Sequence, residues 1–444
     1  MSTDLRYGWY GDDFTGASDT LAVLAQAGLA AMLFMDVPDT ARLAAAARVL
    51  GRPLDAVGIA GAARSMSPEA MAIELEPVGA FFSRVAPRVL HYKVCSTFDS
   101  APHVGSIGQA VRSLMPHVEH PVALIVGGQP SLGRHCVFSN LFAAARQGGA
   151  VERLDRHPTM RVHPVTPMRE ADLRVHLAQQ DLAPVAGLHF PLYEDEAVLQ
   201  ARFRALAEQG VPAVLLDVAE AAHLRAVGGL LWHEAKQRRV LAVGPSSVAQ
   251  ALLRRWGTSA SPRGEAPRER DPGAVLIVAG SLSPVTARQV RAAEAFHRIA
   301  LVPDDLADGA RSEAARQRVA ASLAQGWPTL VTTAPESPAD ADTRRAGEVA
   351  GATARFVRQL LVEQAGRGRA VRRLGLAGGD TSSLVTQGLG LWGLSYVGAL
   401  GPGVAVSRTH SDEPALDGVT LMLKGGQMGA EDVFEQFAGL GVTA

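Results

Sequence analysis

The start of the sequence concentrates side chains that could act on a hydroxyl group. Asp12, Asp13, Thr15, Gly16 and Asp19 directly follow a short apolar run that predicts a first strand. Helix capping explains one of these aspartates, but so many neighbouring carboxylates cost energy unless a positive or hydroxylated group binds there. The pattern therefore indicates a ligand site in which Asp12 or Asp13 orients or deprotonates a hydroxyl.

Cations that suit an acidic ligand follow two later apolar runs. Lys93 ends the first, and Ser96 and Thr97 come next with hydroxyls that can hold sugar oxygens. Arg134 lies in a glycine-rich loop and can grip a carboxylate through two parallel hydrogen bonds. Solvated loop residues are the alternative, because serine and threonine are common in loops. We expect Lys93 and Arg134 to hold the carboxylate of a small acid.

A proline-rich segment, 156–168, contains a histidine with two alternative roles. The prolines argue against a helix or a central strand, so the segment is expected to be extended. His163 is then either a ligand contact or base, or a structural hydrogen-bonding group, which is the commoner role of a single histidine.

Glycine-rich turns in the second half of the chain are typical of phosphate binding. The stretch 374–390 predicts a strand, a turn at Gly378 and Gly379, and a helix. The N-cap oxygen of that helix is expected from Asp380, Thr381 or Ser382. Free N–H groups in the first turn of such a helix can bind a nucleotide phosphate. Close packing of strand and helix is the alternative reason for the glycines.

Other loops of this half are expected at the same phosphate site. Lys424 precedes Gly425 and Gly426 at the end of the last predicted strand, where it either offsets phosphate charge or lies on the surface. Gly403 lies in a tight turn. Earlier in this half, Ser281 or Ser283 can cap a helix or touch a phosphate.

Apolar runs and helical patterns alternate along the whole chain, which predicts an α/β protein with largely parallel sheets. At 444 residues the chain exceeds the usual size of one core, so two domains are expected. Residues 259–273 are rich in Ser, Pro, Gly and charge and predict a linker between domains at 1–258 and 274–444. We expect the active site in a cleft between the two domains.

Composition favours a small-molecule enzyme. The 43 basic and 44 acidic residues leave a net charge of −1, so neither nucleic acid nor an anionic membrane is an expected partner. Cys95 and Cys136 have no metal-site spacing, and the sequence shows no export signal, which together favour a cytoplasmic location. No P-loop and no dinucleotide fingerprint is present in the sequence.

The ordered motifs resemble the four-carbon acid sugar kinase family, most closely its 3-oxo-tetronate 4-kinases. The motifs are Gly11 to Asp19, Cys95 to Ser100, His163 to Met168, Gly378 to Ser383 and Lys424 to Gly429. The resemblance implies an N-terminal domain that binds the acid sugar, a C-terminal domain that binds ATP, and phosphorylation of the terminal hydroxyl with Mg²⁺. It also places Asp99 and Thr166 in the acid site, and it allows a homodimer.

Two other classes of protein fit the residues alone. A sugar-acid lyase or isomerase would use Lys93 or His163 on a carbon acid, with the glycine loops holding a substrate phosphate. A non-catalytic sensor would bind the acid without turnover. Consumption of ATP separates the kinase from both.

Overall fold

The computed structural model describes residues 5–144, 149–163, 165–257, 273–280, 283–333, 346–401 and 403–439. Within it the chain divides into two compact units, Met1–Ser261 and Pro262–Ala444. The predicted linker lies almost entirely outside the described residues, so its bounds stay a prediction, as does the cleft.

The first unit alternates strands with helices. Its elements are, in chain order, β1 (Tyr7–Gly11), α1 (Phe14–Gln26), β2 (Ala31–Phe34), α2 (Thr40–Leu50), β3 (Ala56–Ala60), α3 (Pro68–Val85), β4 (Val89–Lys93), α4 (Ile107–Leu114), β5 (Ala123–Gly127), β6 (Arg134–Val137), β7 (Asn140–Ala144), β8 (Val151–Arg153), α5 (Leu173–Ala178), β9 (Val185–Leu188), α6 (Glu196–Glu208), β10 (Ala213–Asp217), α7 (His223–Gln237), β11 (Val240–Gly244) and α8 (Ser247–Trp256).

Eight of these strands form a parallel sheet in the order β2–β3–β1–β4–β11–β5–β10–β9. The central strands β1, β4 and β11 are buried along their whole length, as parallel strands covered on both faces must be. In the register, Gly11 of β1 lies beside Lys93 of β4, which in turn lies beside Gly244 of β11. The loops after these strands therefore start from the same edge of the sheet. Strands β6, β7 and β8 form a separate antiparallel sheet.

The second unit has the same α/β character with an antiparallel edge. Its elements are β12 (Ala274–Ala279), α9 (Pro284–Ala292), β13 (His297–Ala300), α10 (Pro303–Ala307), α11 (Gly309–Ala324), β14 (Thr329–Thr332), α12 (Ala346–Gly366), β15 (Val371–Ala377), α13 (Gly379–Gly388), β16 (Leu391–Ala399), β17 (Val404–Ser411), β18 (Thr420–Lys424) and α14 (Val433–Ala438). Strands β13–β14–β12–β15–β18 run parallel, and β17 and β16 continue the order antiparallel. Val275, Ile277 and Met422 pack with Phe434 and Phe437 in its core.

The predicted fold class is confirmed. The sequence predicts strands at Ala213–Asp217, Ala274–Ala279 and Val371–Ala377, and the structure has the same bounds. The first two are largely continuous apolar runs, whereas the third has Arg372 and Arg373 near its start. The small antiparallel sheet and β17 were not predicted from the sequence. Their residues mix polar and apolar side chains in antiparallel strands, so they lack the continuous apolar signal that marks the buried parallel strands. Among the described residues, no helix is long and apolar enough to cross a membrane.

Glycine at position 228 sets the approach of α7 to α8, the helix that follows β11. A Cβ at Gly228 would lie 1.9 Å from the carbonyl oxygen of Ala251, whereas a Cβ at Gly229 would meet nothing closer than 3.4 Å. We predict that Gly228→Ala lowers the free energy of unfolding by about 1–3 kcal/mol, because backbone cannot move aside cheaply. Gly229→Ala is the matched control, with no loss and a gain of up to about 1 kcal/mol from helix propensity. Urea unfolding of both variants checks this, and equal stability of the two would contradict the packing argument.

Candidate active site

The acidic pair after β1 is held by an arginine from another loop. Arg64, in a short 3₁₀ turn after β3, donates from Nη2 to Oδ1 of Asp12 (2.6 Å) and from Nε to Oδ2 of Asp12 (3.1 Å). Its third nitrogen, Nη1, donates to Oδ2 of Asp13 (2.8 Å). The side chain of Arg64 is 25% exposed and those of Asp12 and Asp13 are 4% and 20% exposed. One guanidinium thus bridges two carboxylates at the edge of the sheet.

The pKa values of the two carboxyl groups move in opposite directions. Burial raises the pKa of Asp12, the charge of Arg64 opposes this, and the neighbouring carboxylate of Asp13 adds to the rise. Burial would also raise the pKa of Asp13, but Arg64, Lys93 and the N–H of Gly16 outweigh it and lower that pKa below its ordinary value. Asp13 is therefore the stronger candidate for a carboxylate that is ionised and partly exposed.

Asp13 also has the structural role that the sequence allowed. It is the N-cap of α1, and its Oδ1 accepts a hydrogen bond from the N–H of Gly16 (2.8 Å). A Cβ at Gly16 would lie 2.5 Å from that Oδ1 and 2.6 Å from Nζ of Lys93, so glycine is needed for the close approach. The neighbouring Oγ1 of Thr15 is buried without a hydrogen-bond partner among the described residues.

Lys93 lies beside this pair, as predicted. It is 4% exposed, and its Nζ donates to the carbonyl oxygen of Val94 (2.8 Å). The backbone N–H of Asp12 donates to the carbonyl of Lys93 (3.0 Å), which ties the two strand ends together. No carboxylate among the described residues forms an ion pair with Lys93, so its charge remains available to an acidic ligand.

The hydroxyl loop after β4 is internally bonded. Thr97 donates to Oδ1 of Asp99 (2.5 Å), and Ser96 is 8% exposed. Phe98 has a φ of 56°, a left-handed conformation that turns the loop sharply. Ser100 anchors this turn to α5 through a contact with Nε2 of His176 (2.9 Å).

The aspartate at position 19 binds a loop that the sequence did not connect to it. Ser246, which follows β11, donates a short hydrogen bond to Oδ2 of Asp19. The adjacent Ser247 donates to the carbonyl of Gly128 (2.7 Å), the residue after β5. Helix α1 and the loops after β11 and β5 are thus linked in series by side-chain hydroxyls.

Arg134, His163 and Thr166 are not joined to the Asp12–Arg64–Lys93 group by any hydrogen bond or ion pair between described residues. Arg134 begins β6 and donates to the carbonyl of Leu132, and its Nε is buried without a partner among the described residues. Nδ1 of His163 accepts from the N–H (3.1 Å) and contacts the hydroxyl (3.0 Å) of Thr166. These contacts give His163 the structural role that its motif left open, and its place in the acid site stays a prediction.

In the second unit, Gly378 is the N-cap of α13 in a conformation that favours glycine, with φ 127°. The helix begins at Gly379, so Asp380, Thr381 and Ser382 all lie within its first turn, and the expectation that one of them is the N-cap is wrong. The hydroxyl of Ser382, which lies inside the helix, donates to the carbonyl of Leu376 in β15 (3.0 Å). The side chains of Asp380 and Thr381 lie outside the description.

The glycine turns of this unit converge at one edge of its sheet. The N–H of Gly378 donates to the carbonyl of Lys424 (3.0 Å), which precedes Gly425 and Gly426. Gly403 has φ 71°, and a Cβ there would lie 2.2 Å from Cε of Met428, so its turn packs against the same loop. Ser283 caps α9 by accepting from the N–H of Val285 (3.2 Å). Ser281 lies outside the described residues, and Gly379 begins α13.

Arg64 is the residue of this site that the sequence did not reveal. It lies 51 positions after Asp13 in Gly61-Ala62-Ala63-Arg64-Ser65, which has no motif of its own. The only signal was positional, since Arg64 follows the carboxyl end of β3, the strand next to β1 in the sheet.

Known families match both units. A model for a "Sugar-binding N-terminal domain" matches residues 7–252, and a model for a "Nucleotide-binding C-terminal domain" matches residues 276–434. Fold and site therefore define a two-unit protein that combines a sugar-binding and a nucleotide-binding domain.

Full-length relatives narrow that class. The 3-oxo-isoapionate kinase of Paraburkholderia graminis is 38% identical, over 97% of this chain and 93% of its own. The 3-oxo-tetronate kinase of Methylobacterium radiotolerans is 33% identical, over 97% of this chain and 98% of its own. The chain belongs to the four-carbon acid sugar kinase family, which confirms the family and the kinase class predicted from the motifs.

Solved structures agree on the fold. A protein from Salmonella typhimurium has a TM-score of 0.77 at 24% identity, covering 97% of this chain and 98% of that one. A Haemophilus influenzae protein has a TM-score of 0.73 at 24% identity, covering 98% and 99%.

The ion pairs of Arg64 generate a stability prediction. We expect Arg64→Met to lower the free energy of unfolding by about 3 kcal/mol at pH 8, because two partly buried carboxylates lose their cation. The loss should be smaller at pH 5. Without Arg64 the pKa of Asp12 rises further above its unfolded value, so the folded state retains a proton at low pH and becomes less stable as pH rises.

Arg52→Met is the matched control for that variant. Arg52 pairs with Asp55 at 3.4 Å, but its side chain is 50% exposed, so the change should cost at most about 1 kcal/mol. Urea unfolding at both pH values measures the difference. Wild-type stability of Arg64→Met at pH 8 would show that the pairs contribute nothing to the fold.

Proposed function

We propose that this protein transfers the γ-phosphate of ATP to the terminal (4-) hydroxyl of a four-carbon acid sugar, with a 3-oxo acid as the preferred substrate. The observation that carries the proposal is full-length similarity to two kinases of 3-oxo acids, together with the charged residues Asp13, Arg64 and Lys93 at one sheet edge. The first candidates for the acid are 3-oxo-tetronate and 3-oxo-isoapionate. Threonate and erythronate are further candidates.

The acid is bound by the first unit. Lys93, which has a buried positive charge and no ion-pair partner among the described residues, meets the substrate carboxylate, with Arg134 as a second cation. The hydroxyls of Ser96 and Thr97 follow Lys93 in the chain, and that of Thr15 follows Asp13. These three hydroxyls suit the substrate's own hydroxyl and oxo groups.

Asp13 accepts the proton of the attacking hydroxyl. Its Oδ2 is bonded to Arg64 and its Oδ1 to Gly16, and each oxygen keeps a second lone pair for the substrate. As the hydroxyl oxygen bonds to the γ-phosphorus, the bond from that phosphorus to the bridging oxygen breaks and ADP leaves. Arg64 keeps the carboxylate ionised and fixes its orientation.

The second unit binds the nucleotide. Gly378 begins the turn before α13, and its N–H is bonded to the carbonyl of Lys424, which precedes Gly425 and Gly426. Two neighbouring glycine turns at a helix start fit a phosphate cradle. Mg²⁺ would neutralise charge on the phosphates during transfer. In the described residues no three His, Cys, Asp or Glu side chains form a metal-binding group, so we assign the ion to the triphosphate itself. A cytoplasmic location and a homodimer remain predictions from the sequence.

The activity is tested by a coupled assay of ADP release with four acids. We expect ATP-dependent turnover with a 3-oxo acid, and 3-oxo-tetronate and 3-oxo-isoapionate are compared directly with threonate and erythronate. Phosphorus NMR of the product should show a monoester on the terminal carbon. Turnover without nucleotide would indicate a lyase, and binding without turnover a sensor, and either result would overturn the proposal.

The role of Asp13 is tested by Asp13→Asn. Asparagine keeps the helix cap, so the change removes mainly the negative charge and proton-accepting ability. We predict that kcat falls by about 10²–10⁴-fold while the KM for ATP stays nearly unchanged. Asp39→Asn is the matched control, because Asp39 caps α2 in the same way with an exposed hydrogen bond of 2.8 Å. Near wild-type kcat in both Asp12→Asn and Asp13→Asn would place the base elsewhere.

A further inference from the structure

Among the described residues of the nucleotide-binding unit, the most deeply buried cation lies beneath a glycine-rich loop. Lys424, the last residue of β18, has no exposed surface, and its Nζ donates to Oγ1 of Thr286 (3.1 Å). Thr286 belongs to the first turn of α9, is 1% exposed, and donates in turn to the carbonyl oxygen of Gly426 (2.9 Å). The ring of Phe434 has its centre 5.9 Å from the ammonium group. The ammonium is thus enclosed by protein and linked to the loop through one hydroxyl.

A glutamine one turn further along α9 holds the rest of the loop. Nε2 of Gln289 donates to the carbonyl oxygens of Met428 (3.0 Å), Gly429 (3.0 Å) and Ala430 (2.9 Å). Gln289 is 1% exposed, so these bonds are made away from water. Gly429 has φ 88°, and a Cβ there would lie 3.3 Å from that nitrogen. The loop 425–430 is therefore fixed from the α9 side by two buried side chains.

These bonds determine where the N–H groups of the loop point. In a planar trans peptide the carbonyl and the following N–H point in opposite directions. Because the carbonyls of Gly426, Met428 and Gly429 are turned towards α9, the N–H groups of Gln427, Gly429 and Ala430 are turned away from it. Among the described residues, none of these three N–H groups has a hydrogen-bond partner. A set of such N–H groups in a glycine-rich loop is the arrangement that binds anions.

Lys424 is too deeply buried to contact a phosphate. An ammonium without exposed surface cannot reach a ligand in the loop unless the loop opens, and no carboxylate among the described residues pairs with it. Burial lowers the pKa of Lys424 to about 8, so most of the group is protonated at neutral pH. Its hydrogen bond orients the hydroxyl of Thr286, which in turn holds the carbonyl of Gly426.

We propose that Lys424, Thr286 and Gln289 are positioning residues that hold the loop 425–430 so that its N–H groups bind the nucleotide phosphates, and that Lys424 does not touch the phosphate. This inference rests on the proposed nucleotide site. It gives Lys424 an indirect part in the phosphate site at which its loop was expected.

The first test is ADP binding to Thr286→Val, measured by calorimetry without any acid. Valine keeps the shape of threonine but removes the donor to Gly426 and the acceptor for Lys424. We expect the Kd for ADP to rise about fivefold to tenfold, the value of one lost hydrogen bond. Thr286→Ser should stay within about twofold of wild type. Gln289→Met should also raise the Kd for ADP, because it releases the carbonyls of Met428, Gly429 and Ala430.

The matched control is Thr329→Val. Thr329, the first residue of β14, is fully buried, contacts the hydroxyl of Ser322 (2.8 Å) and donates to the carbonyl of Trp327 (3.1 Å). Thr329→Val thus removes similar hydrogen bonds at the start of a parallel strand, whereas the loop 425–430 follows the end of one. The Kd of this variant for ADP should equal that of the wild type. Melting temperatures of all variants separate loss of binding from loss of folding. Equal Kd values for Thr286→Val, Gln289→Met and wild type would overturn the proposal.

A double variant decides how Lys424 acts. If it acts through Thr286, Lys424→Met combined with Thr286→Val should bind ADP no more weakly than the weaker single variant. Multiplying effects would mean that Lys424 reaches the phosphate independently, which would overturn the proposal. Because no acid is present, these outcomes are distinct from failure of the kinase assay. Wild-type ADP binding with no turnover of any acid would remove the proposed function and leave this inference standing.

Discussion

The bridge from Arg64 to Asp12 and Asp13 is the interaction on which the rest of the first unit's site depends. Two carboxylates at the end of one buried strand are unfavourable together, and the charge of Asp13 raises the pKa of Asp12. Arg64 offsets this with three hydrogen bonds, one from each guanidinium nitrogen, in a fork geometry that lysine does not have. A neighbouring strand end must therefore bring an arginine to this edge, which the parallel register of β3 against β1 does.

The two units offer anions different kinds of partner. The first uses side-chain charge, with Lys93 and Arg64 near the end of β4 and β3. The second uses backbone N–H groups in glycine turns, and its one buried lysine is directed at a hydroxyl. A small carboxylate is well matched by a compact ammonium, whereas a polyphosphate chain presents many oxygens and suits a curved row of N–H groups. The difference between the sites thus follows the difference between an acid sugar and a nucleotide.

Sequence reasoning reached the parts of this structure that are local in the chain. Asp13 as a cap, Lys93 at the end of β4 and Gly378 at the start of a helix each follow from a few adjacent residues. Arg64 could not be found in this way, because its partners lie about 50 positions away and only the sheet order brings them together. The N-cap of α13 was missed for a related reason: Gly378 adopts φ 127°, and Ser382, an ordinary capping residue, bonds instead to Leu376 across the strand–helix turn.

The charges of Asp12, Asp13, Arg64 and Lys93 also determine which cation binds the substrate carboxylate. Asp12 and Asp13 carry two negative charges when ionised, and Arg64 and Lys93 carry two positive charges, so the four together are neutral. Arg64 has all three of its nitrogens engaged by the carboxylates, whereas Lys93 donates to a neutral carbonyl, that of Val94. Adding the carboxylate of an acid beside Lys93 forms a new ion pair without breaking an existing one. Adding it beside Arg64 would require at least one aspartate to be displaced, which makes Lys93 the favoured anchor and leaves Arg64 to hold the base.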